Sequence, residues 1–166
     1  MNKYIKSTLV FLSVLLSSTP CISDPNNFSI KISSKYKIIV IHNNVANKIT
    51  LSHEIYGYEV NCKRDRLIAW GKPKEINKNN PQDTTLTIAS LNSDEKQIKI
   101  GFSKNIFGAT FFNDNTHAMI ETDTETVVSV KDGKVLPGKV DTDSGINSEP
   151  EMCSDFKYKS FRKFTE

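Results

Sequence analysis

The chain has 166 residues, of which 22 are basic and 19 acidic, and its net charge is +3. So small a charge, without a patch of basic residues interleaved with aromatic ones, makes nucleic acid a poor candidate partner. Two of the basic residues lie in the first 23 positions, and without that segment the net charge is +1. The rest of the chain is long enough for one domain with its own core.

Residues 1–23 predict a secretory signal peptide. Two lysines are followed by an apolar run from Leu9 to Leu16 and then by small residues, which is the order that such peptides show. The run is shorter than the roughly 20 residues that a membrane-spanning helix needs. We expect cleavage after Ser23 to release residues 24–166 as an exported, soluble chain without a membrane segment. Lipoprotein processing at Cys21 is the alternative.

The chain after the signal peptide reads as short β strands separated by Asn, Asp, Gly, Pro or Ser clusters. This pattern predicts an all-β, antiparallel meander or sandwich, partly propeller-like, in a single domain over residues 24–166. The strands are predicted at Phe28–Ile41, Ile49–Val60, Leu67–Trp70, Thr84–Leu91, Gln97–Phe102, Thr110–Phe112, Ala118–Glu121, Val127–Val130 and Lys134–Leu136.

Three turn clusters predict successive hairpins, at Asn92–Asp94, Asn113–Asn115 and Asp132–Gly133. The segment Gly138–Glu151 has no strand pattern and is predicted to be a loop. The aromatic tail from residue 153 to residue 164 fits either one helical face or one more strand.

Cys62 and Cys153 are the cysteines that remain after signal cleavage. In an oxidising compartment a disulfide is the default for such a pair. It would close a loop of about 90 residues, for which the chain-entropy estimate is roughly 4–5 kcal/mol of stabilisation. A catalytic thiol beside a histidine is the competing interpretation, but His42, His53 and His117 lie in no recognisable nucleophile motif.

Trp70 is predicted to be structural, because it follows three apolar residues on a strand that Gly71 ends. A tryptophan combines a large apolar body with a polar N–H, and we expect this one to be mostly buried. A highly exposed Trp70 would instead favour a platform for stacking a carbohydrate.

The metal motifs in the sequence are incomplete. Asp141–Gly145 has the alternating oxygen ligands of a calcium-binding EF-hand loop, but its glycine comes one residue early and no helices flank it. His53-Glu54 is half of a zinc-protease motif, but Gly57 stands where the second histidine belongs. We therefore predict no metal site, no cofactor and no catalytic residue. An exported calcium- or carbohydrate-binding module remains the alternative function.

The stretch from residue 101 to residue 112 holds four of the nine phenylalanines of the chain. Its polar middle predicts a hairpin tip at Ser103–Gly108, where Gly108 would permit a tight return. Ile106 or Phe107 could fill a pocket of a partner, and Asn105 could satisfy a buried polar group there. The competing interpretation is that these phenylalanines cover the chain's own core.

Several features follow one another along the second part of the chain. Cys62 is followed by charged residues and by Trp70, and Phe102-Ser103 ends a strand before a loop. A Val-Lys-Asp-Gly turn follows at Val130–Gly133, and Cys153 precedes a basic, aromatic tail.

In these features the chain from Asn61 to Phe164 resembles the periplasmic immunity proteins that neutralise the peptidoglycan-cutting amidases of type VI secretion. Residues 24–60 have no counterpart in this resemblance. The resemblance implies a protein of the periplasm that is not an enzyme and whose partner is the cognate secreted amidase.

In that family the loop after the Phe-Ser strand enters the amidase cleft and caps its Cys/His pair. The resemblance places Ser103, Lys104, Asn105 and Ile106 in that loop, with Asn105 where a hydroxyl would meet the catalytic histidine. The amide of Asn105 can also hydrogen-bond to a histidine. The family's loop is small and serine-rich, so Lys104 and Ile106 depart from its pattern. Lys104 is expected at the cleft rim, and Ile106 with Phe107 is expected to supply apolar contact.

Overall fold

The computed structural model describes residues 27–93, 95–136, 146, 149–153 and 160–163. In these residues twelve β strands form three antiparallel sheets. The strands are β1 (Phe28–Ser34), β2 (Lys37–His42), β3 (Val45–Thr50), β4 (Gly57–Val60), β5 (Arg66–Gly71), β6 (Thr84–Ser90), β7 (Ile98–Phe102), β8 (Gly108–Phe111), β9 (His117–Glu121), β10 (Glu125–Ser129), β11 (Val135–Leu136) and β12 (Ser160–Arg162). The described part of the chain contains no helix that is long and apolar enough to cross a membrane.

The middle layer is the five-stranded sheet, in the order β12-β4-β5-β6-β7. The three-stranded sheet β1-β2-β3 packs on one of its faces, and the four-stranded sheet β11-β10-β9-β8 packs on the other. The predicted all-β antiparallel fold is confirmed, and so are the hairpins β6–β7, β8–β9 and β10–β11.

Strand β5 contributes to two cores, because successive side chains of a strand point to opposite faces. Leu67 and Ala69 lie in the first core, against the three-stranded sheet. Ile68 and Trp70 lie in the second core, against the four-stranded sheet. This double burial explains why the run Leu67–Trp70 is apolar throughout instead of alternating with polar residues.

Two predicted strands are divided in the structure. Residues 28–41 form β1 and most of β2, with a turn at Lys35-Tyr36 between them. Residues 49–60 contain the end of β3 and all of β4, separated by an irregular segment. That segment is buried at Leu51 and Ile55, whose backbone N–H groups donate to the carbonyls of Tyr36 and Lys35. The chain there pairs with the turn instead of continuing a sheet ladder.

The disulfide between Cys62 and Cys153 is present, with the two Cα atoms 5.3 Å apart. It joins the turn after β4 to the segment 149–153. The buried carboxylate of Glu151 accepts a hydrogen bond of 2.7 Å from the backbone N–H of Cys62, and the N–H of Glu151 donates to the carbonyl of Phe111. The predicted pairing is confirmed, and neither sulfur is a free thiol.

Trp70 is only 2% exposed, as predicted. Its ring lies against the backbone of Gly57 on β4, where a Cβ atom would stand 2.2 Å from Cζ2 of the indole. The exposed tryptophan that would favour a carbohydrate-stacking platform is therefore not found here.

His53 is fully buried beside the middle sheet. Its Nδ1 lies 2.7 Å from the carbonyl oxygen of Glu54, which can only accept, so Nδ1 carries the proton. Its Nε2, 2.9 Å from the hydroxyl of Thr87, accepts from that hydroxyl. Burial lowers the pKa of His53 and outweighs the opposing hydrogen bond to Glu54, with Lys99 adding to the lowering. His53 is thus a neutral core residue that satisfies two polar neighbours.

Gly57→Ala should destabilise the fold, because the added methyl group would overlap the Trp70 ring and approach the Phe161 carbonyl oxygen to 2.8 Å. Overpacking of this kind costs about 1–3 kcal/mol. Gly101→Ala is the matched control, since a Cβ atom there meets no other atom within 4 Å. Urea denaturation of both variants measures the difference. Equal stabilities of Gly57→Ala and the unaltered protein would contradict the packing described for Trp70.

Stability should fall as the pH drops below about 6.5, the ordinary pKa of an unfolded histidine. The pKa of His53 is lower in the folded protein than in the unfolded chain, so the unfolded chain takes up the proton first. This contribution is fully present above pH 6.5 and is lost at up to about 1.4 kcal/mol per pH unit below it. Between pH 7.5 and 5, the free energy of unfolding should fall less steeply with decreasing pH for His53→Gln than for the control His42→Gln, as denaturation at each pH would measure. An identical slope in both variants would contradict this assignment.

Candidate interaction surface at the β7–β8 loop

The segment Ser103–Phe107 connects two sheets. Strand β7 is the edge of the five-stranded sheet, and β8 is the edge of the four-stranded sheet. Within the described residues β7 pairs with β6, and β8 pairs with β9. The predicted hairpin tip is therefore wrong. The physical reason is the second core: the chain crosses it between the two strands, so that β8 lies against β4 instead of beside β7 and helps to cover Leu86 and Ile88 of β6.

Hydrogen bonds hold the loop at both ends. The side-chain amide of Asn80 donates to the carbonyl of Ser103 over 3.1 Å. The backbone N–H of Phe107 donates to the carbonyl of Glu121 over 2.7 Å. Lys104 lies 3.8 Å from Asp123 in an exposed ion pair, which adds little to stability. The loop is thus tied both to the segment before β6 and to the end of β9.

Ile106 is 6% exposed and belongs to the second core, together with Trp70 and Phe111. The expectation that its side chain supplies apolar contact to a partner is corrected: it packs inward. The sequence shows an apolar residue in a polar loop, but the direction in which it points depends on the sheet that β8 joins. Ile106 therefore anchors the loop to the second core.

The structure gives Gly108 a different role from the predicted tight return of the chain. The only glycine with a left-handed φ among the described residues is Gly133, so Gly108 does not need unusual backbone angles. A Cβ atom at Gly108 would instead lie 2.5 Å from both Arg162 Nη2 and Glu121 Oε2. Those two side chains form a two-pronged ion pair, with N–H···O distances of 3.1 and 3.2 Å. Gly108 leaves the space in which this pair rests on the loop base.

Phe107 and Asn105 face solvent. Phe107 is 55% exposed, although Ile106 and Gly108 on either side of it are buried. Asn105 is also exposed, and its side-chain amide has no hydrogen-bond partner in the described part of the chain. The backbone N–H groups of Lys104 and Asn105 likewise have no acceptor among the described residues. The exposed ring of Phe107 and the amide of Asn105, which has no hydrogen-bond partner among the described residues, therefore lie on a loop that is fixed at its ends.

A pocket of about 340 Å³ opens beside the loop. It combines residues of the loop with Tyr56, which precedes β4, and with residues of β5, β6 and the C-terminal segment. Its lining is formed by Tyr56, Trp70, Thr84, Asn105, Ile106, Phe107, Arg162 and Lys163. Lys163 follows β12, its backbone N–H donates to the carbonyl of Tyr56 over 2.6 Å, and its ammonium lies 5.8 Å from the Tyr56 ring centroid.

Sequence reasoning missed Tyr56, Arg162 and Lys163. The pairing of β12 with β4 brings them to the loop, and no local motif announces that pairing. The sequence shows that the tail is basic but does not show which strand it pairs with.

Two other clusters bring polar side chains close together. Glu151 lies with Cys62 and Cys153 in a group whose ligand atoms are within 4.8 Å of one another, but the two sulfurs are bonded to each other and offer no thiolate. Asp114 accepts the N–H groups of Thr116 and His117, and its Oδ2 lies 2.8 Å from His117 Nδ1. Partial burial raises the pKa of Asp114, but these hydrogen bonds outweigh it and hold the pKa below its usual value. This carboxylate stabilises the β8–β9 turn, at the other end of β8 from the loop.

Comparison with known proteins finds no matching protein-family model, curated protein or solved structure.

Proposed function

We propose that the protein is a periplasmic immunity protein, which binds a secreted peptidoglycan amidase and blocks its active site with the segment Ser103–Gly108. The observation that carries the proposal is Phe107, a large apolar side chain that is exposed on a loop whose neighbouring residues are buried. Phenylalanine is among the aromatic residues that are enriched in protein interfaces.

The attachment of the loop supports this role. Binding loses less entropy when a loop already has one shape. Ile106 in the core, the Asn80 bond to Ser103 and the Phe107 bond to Glu121 fix the loop in the free protein. Covering the exposed half of the Phe107 ring in a partner's pocket would then contribute roughly 1–2 kcal/mol with little ordering cost.

The exposed amide of Asn105 supports a partner whose binding cleft has a polar group at its centre. A neutral amide both donates and accepts, so it can meet a histidine in either neutral form. A Cys/His hydrolase presents such a histidine at the bottom of its cleft. Lys104 and Asp123, paired at the edge of the loop, would lie at the rim of that cleft, where charges affect the association rate more than the affinity.

The disulfide supports an exported setting, because such bonds persist in oxidising compartments. The predicted signal peptide lies outside the described residues and points the same way. The alternative of a calcium- or carbohydrate-binding module has less support: Trp70 is buried, and the predicted calcium loop Asp141–Gly145 also lies outside the described residues.

The test is inhibition of a secreted Cys/His amidase, chosen from any such gene found beside this chain's gene and assayed on purified peptidoglycan with residues 24–166 added. We expect inhibition at one molecule per enzyme. Phe107→Asp and Asn105→Asp should each weaken binding by about a hundredfold or more, since an uncompensated charge buried in an interface costs several kcal/mol. The melting temperature of the free protein should barely change, because both side chains are exposed there.

Val45→Asp is the matched control, because Val45 is an apolar side chain that is 70% exposed at the far β2–β3 turn. It should leave both binding and melting unchanged. Ile106→Asp should instead lower the melting temperature, since it places a charge in the core. Full inhibition by the Phe107→Asp and Asn105→Asp proteins would contradict the proposed role of the loop.

A further inference from the structure

The pocket beside the loop collects N–H donors that the described residues do not use. Arg162 has five N–H groups, and its pair with Glu121 takes two of them. Lys163 has three more and no carboxylate partner among the described residues. The amide of Asn105 adds two. These donors surround a concavity rather than being spread over a convex surface.

The apolar walls of the pocket strengthen the hydrogen bonds of any charged group that enters it. The rings of Tyr56 and Phe107 and the edge of Trp70 form apolar surfaces around the donors, and a hydrogen bond is stronger where water is partly excluded. Burial raises the pKa of the Tyr56 phenol, with Glu54 acting in the same direction. Glu54 itself lies 3.4 Å from Lys35 in an ion pair.

The charge balance favours a single negative charge. The positive charge of Arg162 is matched by Glu121, which leaves the positive charge of Lys163 without a counterpart among the described residues. One carboxylate would neutralise it. A doubly charged phosphate would exceed it and would also be repelled by the nearby Glu121.

The volume favours a small group. About 340 Å³ is near the lower end of small-molecule sites, so the pocket accommodates an acidic side chain with its adjoining atoms more readily than a long polymer. Because Asn105 and Phe107 belong both to the pocket and to the loop, anything bound in the pocket touches the surface that a loop-binding partner covers.

We propose that this pocket receives an aspartate or glutamate side chain of the protein partner, so that the interface interlocks in both directions: Phe107 enters the partner while a carboxylate of the partner enters between Asn105, Arg162 and Lys163. The identity of the partner rests on the proposed function, whereas the preference of the pocket for a carboxylate does not. Lys163 supplies the positive charge, and the N–H groups of Arg162 and Asn105 orient the bound carboxylate.

Lys163→Met tests the pocket, because it removes the charge and keeps the length of the side chain. Lys48→Met is the matched control, an exposed lysine on β3 in the three-stranded sheet. Arg162 is left intact, since changing it would also break the pair with Glu121 that rests on Gly108. Equal melting temperatures of the two variants and the unaltered protein establish that both are folded.

The first measurement needs no amidase. Residues 24–166 are titrated with N-acetyl-L-glutamate N-methylamide, and separately with the neutral glutamine analogue, while the NMR signals of the Asn105 side chain and the Phe107 amide are followed. We expect saturable shifts in the millimolar range with the glutamate compound only, and their loss in Lys163→Met but not in Lys48→Met. Equal responses to both compounds, or an unchanged response in Lys163→Met, would overturn the proposal.

The second measurement is affinity for the amidase at several salt concentrations. Lys163→Met should weaken binding about tenfold, or about 1.4 kcal/mol, and should reduce the dependence on salt, while Lys48→Met should do neither. If the unaltered protein binds and Lys163→Met binds equally well, the proposed role of the pocket fails and the immunity function stands. If the unaltered protein does not bind the amidase, the immunity function fails, and the glutamate titration still decides whether the pocket is a carboxylate site.

Discussion

The burial of the middle sheet on both faces is the constraint on which the rest of the structure depends. Strands β5 and β6 are buried along nearly their whole length, so each face needs its own cover. The three-stranded sheet supplies one cover and the four-stranded sheet the other. The chain must therefore leave the middle sheet after β7 and begin a new layer at β8.

That change of layer determines the character of the candidate site. A hairpin tip would be held only by the two strands that it joins, whereas Ser103–Phe107 is attached to both layers and to the segment before β6. Ile106 occupies the core between the layers, and Phe107 is left outside it. The pairing of β12 with β4 is a separate feature, and it adds Arg162 and Lys163 to the surface. The change of layer thus accounts for the attached loop and its exposed ring, and the C-terminal strand accounts for the cationic side of the pocket.

The parts of this arrangement that the sequence could predict are those encoded locally. Turn residues and β-branched runs identify most strands, and the Asn43-Asn44 turn between β2 and β3 has the left-handed angles, with φ of 50° and 63°, that asparagine tolerates. The pairing of Cys62 with Cys153 could be predicted because two cysteines remain in a chain that is predicted to be exported. The burial of Trp70 followed from its position in an apolar run.

The features that the sequence could not predict depend on which sheets pack against each other. Whether Ile106 points inward is decided by β9 and β10, which come later in the chain and complete the second core. The need for glycine at position 108 is decided by Arg162, far away in sequence. The proposed immunity role rests on the resemblance, and the exposure and attachment of the loop are the observations that support the proposal.

The most direct test of the loop as the blocking element is amide hydrogen exchange of residues 24–166, alone and bound to a catalytically inactive variant of the amidase. The backbone N–H groups of Lys104 and Asn105 have no acceptor among the described residues, so they should exchange quickly in the free protein. They should become strongly protected in the complex, while Val45 and Ala46 at the far turn stay unchanged. Protection confined to Asn113–Thr116, at the other end of β8, with Lys104 and Asn105 still exchanging quickly, would contradict the loop as the inhibitory element.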